Sequence, residues 1–202
     1  HFVHGFHSDF GIDYFAQHQQ FTLDQWIILE QSGAVFLPAS KWRNGSTFTN
    51  SSEGGHYWSS TCGEISTNAH YLSFGSQEAW INCNSLHHCF SVRLVHDTIV
   101  PRTIPKRIGI FSVSKDKKVS FSQGNLQYIQ STDTWQFARE QYELIGEDYT
   151  TLGIWDLFGW SGKDNNAPFG VSESANEVDY RGEFVDWGKN RIGNDAPATW
   201  RS

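Results

Sequence analysis

Phe90-Ser91-Val92-Arg93-Leu94-Val95 is the stretch on which the reading of this chain turns. Phe90, Val92 and Leu94 alternate with Ser91 and Arg93, the period of two that marks a strand with one apolar face. Upstream, His70 to Phe74 and His56 to Thr61 are further short aromatic strands. The intervals between them are rich in Asn, Ser, Gly and Thr and read as loops. Ala34 to Leu37, closed by Pro38, reads as a buried strand. Before it stands one clear helix. Thr22 and Gln25 have the spacing of a capping box, Leu23, Trp26, Ile27 and Glu30 follow helical spacing, and Gly33 can end the helix in the left-handed region.

Downstream, Ile108 to Ser114 and Val119 to Ser122 flank Lys115-Asp116-Lys117-Lys118 and predict a hairpin. Asn125 to Gln130 continues as a strand that Thr134 to Ala138 can pair with, and Arg139 to Ile145 reads as a short helix ended by Gly146. Two aromatic-glycine blocks follow, Ile154 to Gly162 and Phe184 to Gly188. Neither is periodic. Such blocks predict irregular, well-packed chain in which rings fill space and glycine permits close backbone approach.

The 202 residues carry 9 Trp, 7 Tyr and 15 Phe, with 18% charged residues and a net charge of −7. That composition can bury a core and excludes a disordered chain. Lys and Arg form no stripe, which argues against nucleic acid as a partner. No apolar run approaches the ~20 residues of a membrane-spanning helix. Residues 1–95 hold eight of the 9 histidines, all 3 cysteines and only three Lys or Arg. Residues 108–202 hold nine Lys or Arg and fourteen Asp or Glu. Between them, residues 96–107, with Pro101 and Pro105, read as a linker.

No motif in this chain dictates a reaction. His1, His4 and His7 are spaced for one helical turn, but Gly5 and Gly11 oppose a helix and favour a solvated loop. Cys83, His87, His88 and Cys89 combine thiol and imidazole in a spacing that matches no zinc finger, and a loop is preferred to a metal site. Asp156, Asp164, Glu183 and Asp186 supply carboxylates, but nothing fixes a pair at the separation glycoside hydrolysis needs. Asp156 and Asp186 each stand between aromatics, which predicts buried, hydrogen-bonded roles. Arg43 and Arg93 are expected to order neighbouring chain through carbonyl contacts or salt bridges. There is no nucleophile elbow, phosphate-binding loop or dinucleotide fingerprint. No catalytic residue, metal or cofactor is assigned.

The order of blocks says more. Gly33 to Ala39, Arg43-Asn44-Gly45, Tyr57 to Thr61, Ala69 to Phe74 and Phe90 to Val95 resemble the C-terminal half of the Fibrobacter succinogenes major paralogous domain. That family of gut bacterial surface proteins is similar to the variable proteins of diversity-generating retroelements. Phe111 to Ser114, Val119 to Ser122, Gly124 to Tyr128, Trp155 to Trp160 and Asp186 to Gly188 resemble the family's N-terminal half, and Thr199-Trp200-Arg201 the start of its middle segment. The resemblance implies an α+β, C-type-lectin-like fold of the formylglycine-generating-enzyme kind, with residues 1–95 and 108–202 as its two halves in permuted order. A circular permutant and a piece of a tandem array both fit that order. The absence of an initial Met and the ending at Ser202 favour the piece of an array.

The same resemblance implies a non-catalytic extracellular or cell-surface domain that binds a protein or glycan ligand. Its binding face is expected at His56, His70, Tyr71, Asn82, Asn84, Leu86, His87 and His88, residue types that adenine-directed diversification of Asn codons can produce. Two alternatives are a cysteine-dependent oxidase using Cys83 and Cys89, by analogy with the fold's namesake, and calcium-independent glycan binding on Trp58 or Trp80. The calcium-binding signatures of C-type lectins are absent.

Overall fold

The computed structural model describes residues 4–7, 13–16, 22–31, 34–49, 54–75, 79–97, 110–114 and 117–181. The architecture is mixed, with few helices and several small antiparallel sheets. His1, the Pro101 to Pro105 linker, the Phe184 to Gly188 block with Glu183 and Asp186, and Thr199 to Arg201 lie outside the described residues. No helix among the described residues is long and apolar enough to cross a membrane.

Strands β1 (His4–His7) and β2 (Asp13–Ala16) pair antiparallel, so His4 and His7 lie on a strand rather than in the expected loop. Helix α1 (Leu23–Gln31) starts with the predicted capping box. Thr22 N–H donates to Gln25 Oε1 at 2.9 Å and Gln25 N–H to Thr22 Oγ1 at 3.3 Å, which satisfies two donors a helix start leaves open. Trp26 anchors the helix against Phe36, with ring centroids 5.2 Å apart. Ile27, expected on the same face, is 44% exposed.

Ala34 to Leu37 is not a strand: residues 34–42 run without a ladder. Side chains replace the missing neighbour strand. Phe36 N–H donates to Gln141 Oε1 at 2.8 Å, and the Phe36 carbonyl accepts from Arg93 at 2.9 Å. Buried backbone groups need partners of some kind, and here two long polar side chains serve.

Next come β3 (Arg43–Asn44), β4 (Thr47–Phe48), β5 (Gly55–Cys62), β6 (Asn68–Phe74), β7 (Ala79–Ser85), β8 (His88–Cys89) and β9 (Val95–Asp97). β5, β6 and β7 form a three-stranded antiparallel sheet in that order, and β4-β3-β8 form another. β7 corrects the expected loop at Asn82 to Ser85. Asn, Cys and Ser are weak strand formers, and the strand is held by its full ladder with β6. Phe90 to Leu94 make only isolated bridges rather than a continuous strand, but the alternation persists. Phe90 and Val92 join the apolar cluster with Leu94 against it, while Ser91 donates to Ser40 and Arg93 to Phe36 and Gln141.

Strands β10 (Ile110–Ser114) and β11 (Lys117–Phe121) form the predicted hairpin, and β9 pairs with the far side of β11. β12 (Leu126–Ile129) is flanked by β13 (Thr134–Phe137) and β14 (Ile154–Trp155). Arg139 to Ile145 is a set of turns instead of the expected helix. The Glu143 carboxylate accepts from the N–H groups of Arg139 and Glu140, and Gln141 is buried toward residues 30–36. The helical turns come later, at Gly146–Asp148 and in α2 (Tyr149–Leu152).

One apolar cluster draws on both sides of the linker. Trp58, Tyr71, Leu86, Phe90 and Val92 come from before it; Leu126, Trp155, Phe158, Trp160 and Tyr180 come from after it. Backbone bonds run across the same junction, from Leu126 N–H to the Val92 carbonyl at 2.9 Å and from Trp160 N–H to the Leu86 carbonyl at 2.8 Å. Burying one large apolar side chain is worth ~1.5–3 kcal/mol, so this shared cluster gives the two segments a common core.

Candidate functional site

β6 separates two environments. Ala69, Tyr71 and Ser73 are buried, while Asn68, His70 and Leu72 are half-buried. Residues directly opposite in an antiparallel ladder share a face. Asn82 opposes Tyr71 and Asn84 opposes Ala69, so both asparagines lie on the inner face, where β7 extends past the core. Cys83 opposes His70 on the outer face, and its Sγ is 3.4 Å from His70 Nδ1.

A run of ring contacts continues the inner face. His56 stacks on Tyr71 at 5.7 Å between centroids and on Phe90 at 5.3 Å. Trp42 lies 6.4 Å from His56 and 4.7 Å from His88, and His88 lies 4.5 Å from His87. His56, Asn82, Asn84, His87 and His88 therefore border one surface with Trp42 and Tyr71. His70 falls on the opposite face of the sheet.

Two of the expected display residues belong to the core instead. Leu86 is 3% exposed and Tyr71 7%. Tyr71 packs on Trp58 and Phe90, with its hydroxyl toward the Asn82 and Asn84 amides. Leu86 exchanges backbone bonds with Thr67 and Trp160. Trp42 and Phe90, absent from the expected set, link its histidines. The available signal was Trp42 standing next to Arg43, a residue expected to order neighbouring chain.

The surface carries little charge. Burial, and after it the neighbouring His87, lowers the pKa of His88 to about 4. Burial also lowers His87, against the pull of Glu177, and His56, against a backbone hydrogen bond at Ser40. All three imidazoles are neutral at pH 7. The Nδ1 atoms of His87 and His88 are buried and have no hydrogen-bond partner among the described residues.

The remaining candidates are structural or lie apart. Among the described residues no group of three or more His, Cys, Asp or Glu is placed to hold a metal ion. Cys83 and Cys89 are both free thiols. Cys89 is fully buried, and burial raises its pKa. Asp156 is 1% exposed and accepts from Ile145 N–H at 2.7 Å and Gly146 N–H at 3.0 Å, the buried role expected of it. Arg43 donates to the carbonyls of Gly45, Ser172 and Leu157, and Arg93 to Phe36, as expected of both. No family model, curated protein or solved structure matches the chain.

Proposed function

We propose that the chain is a non-catalytic binding domain of C-type-lectin-like architecture. It holds a protein or glycan ligand on the surface bordered by His56, Asn82, Asn84, His87 and His88. The observation that carries this reading is the row of half-buried imidazoles of His56, His87 and His88 beside the exposed amide of Asn82, all mounted on a packed aromatic core. Imidazole rings and side-chain amides both donate and accept hydrogen bonds, so such a row can match a varied polar ligand. Aromatic and small polar groups on a rigid support also lose little entropy on binding.

In this reading, residues 1–95 and 108–202 are complementary halves of one permuted domain, and the cluster shared across the linker supports that. An extracellular or cell-surface setting and codon diversification rest on the resemblance of sequence blocks. An adenine-rich template copy beside the reading frame is the expected DNA signature. Oxidase chemistry at Cys83 and Cys89 gains no support from a fully buried thiol with a raised pKa.

The test is a titration of fluorescently labelled protein onto intact bacterial and epithelial cells. Saturable binding is expected for the native chain, with loss in Asn82→Lys and His87→Glu variants of unchanged thermal midpoint. Binding that both folded variants retain overturns the assignment of this surface.

A further inference from the structure

Across the sheet β13-β12-β14, Trp135 opposes Tyr128, and Tyr128 opposes Trp155. The shared register puts these three rings in one row on one face of the sheet. Tyr128 and Trp135 are 4.9 Å apart between centroids, and both are half-buried, so part of each ring faces solvent. Phe169 meets Trp135 edge-on at 5.8 Å, and Tyr149 meets Trp155 at 4.7 Å. This row floors an open cleft of ≈ 710 Å³, which shares no residue with the surface described above. That volume lies within the ~300–1,000 Å³ of small-molecule sites.

Acidic and neutral polar groups rim the cleft. Asp133 accepts from the Tyr128 hydroxyl at 3.0 Å, and Glu173 from the Tyr149 hydroxyl at 2.6 Å. Each phenol fixes its carboxylate, and an ionised carboxylate has about four acceptor positions. Gln130, Thr150 and Ser172 add neutral polar groups. The Trp155 indole N–H is buried without a partner among the described residues.

The chemistry of these walls selects a ligand class. Among the described residues no Lys or Arg lines the cleft and two carboxylates do, which disfavours phosphates and nucleotides. An organic cation would seek the aromatic faces, but the Arg43 guanidinium, over Tyr149 at 5.2 Å and Trp155 at 4.7 Å, sets a positive charge against the same row of rings and opposes a second one. A purely apolar ligand would desolvate the carboxylates without replacing their hydrogen bonds. A sugar presents a C–H face for an aromatic ring and hydroxyls at its rim, matching both features. We propose that this cleft binds a neutral saccharide without a metal ion, its sugar rings on Tyr128 and Trp135 and its hydroxyls on Asp133, Gln130 and Glu173.

The test is intrinsic tryptophan fluorescence of the whole chain, titrated in EDTA with neutral tetrasaccharides of glucose, xylose, mannose and N-acetylglucosamine. Choline and inorganic phosphate serve as controls. Saturable binding of at least one saccharide is expected, weakened about 10-fold by Trp135→Ala and about 3-fold by Asp133→Asn. Asp133 has φ of 48°, which asparagine also adopts readily, so the second variant keeps the turn if the first fails to fold. Lys118→Gln, an exposed position outside both surfaces, is expected to leave saccharide binding unchanged. Absence of saturable saccharide binding, binding of choline or phosphate alone, loss in EDTA, or indifference to Asp133→Asn overturns the proposal.

Discussion

Phe90 and Phe158 exchange both backbone hydrogen bonds: Phe90 N–H donates to the Phe158 carbonyl at 3.0 Å, and Phe158 N–H to the Phe90 carbonyl at 2.9 Å. The same Phe158 carbonyl accepts from the Trp58 indole N–H at 2.7 Å. Both residues are fully buried. This antiparallel bridge stitches the chain on either side of residues 98–109 into one packed unit.

Cutting the linker should therefore leave the two pieces together. With a protease site replacing Arg102 to Ile104, the cleaved chain is expected to elute in size-exclusion chromatography at the uncut position and to separate only in denaturant. Fragments that part in native buffer would show that the interface does not hold unaided.

Gln141 acts as a hub for residues 30–36. It accepts from Phe36 N–H and Arg93 at 2.8 Å each and donates to Glu30 at 2.9 Å and to the Ala34 carbonyl at 3.3 Å. Gln141→Leu keeps much of the volume and removes every one of these bonds. Urea denaturation should show a loss of about 2–4 kcal/mol; a loss below about 0.5 kcal/mol would show that water replaces the amide.

Stability should fall as pH drops from 6.5 toward 4. His88 has a folded pKa of about 4 against 6.5 for a free histidine side chain. The unfolded chain thus binds its proton first, and the stability present above pH 6.5 is lost as pH falls through the folded value. His56 and His87 shift in the same direction. Denaturation midpoints across this range should decline less steeply in His88→Asn than in the native chain. NMR should show the native His88 ring untitrated at pH 6.

Gly170 and Gly153 both adopt left-handed backbone, at φ of 70° and 65°. A Cβ at Gly153 meets nothing within 4 Å, whereas one at Gly170 would overlap the Gly159 carbonyl oxygen. Gly153→Ala should cost about 1 kcal/mol from strain alone. Gly170→Ala should cost at least about 2 kcal/mol more, since Gly159 must also move. Equal thermal midpoints for the two variants would remove the close approach as an explanation.

Where a signal was local, the sequence carried it. Thr22 and Gln25 announced α1, the segments flanking Lys115 to Lys118 announced the hairpin of β10 with β11, and the pairing of β12 with β13 was legible from two neighbouring strand segments. Ala34 to Leu37 misled because its hydrogen-bond partners are side chains such as Gln141, 105 residues from Phe36. Arg139 to Ile145 misled for the complementary reason, since a helix there competes with the burial of Gln141. β7 escaped notice because its strand character comes from β6. In the candidate site, the histidines and asparagines stood out by type. That Tyr71 is core and His70 lies on the outer face depends on the ladder between β6 and β7, which local composition does not encode. The cleft stayed hidden because Tyr128, Trp135 and Trp155 meet only through strand register.

The core divided across the linker also bears on how the chain is made. A ribosome adds about 5–20 residues per second, so Phe90 waits roughly 4–18 seconds for Tyr180 to be synthesised. Throughout that interval Trp58, Tyr71, Leu86 and Phe90 lack the surfaces that bury them. Holding chaperones should have their greatest effect on yield in this window, and synonymous codons that slow translation between residues 98 and 180 should lower the soluble fraction.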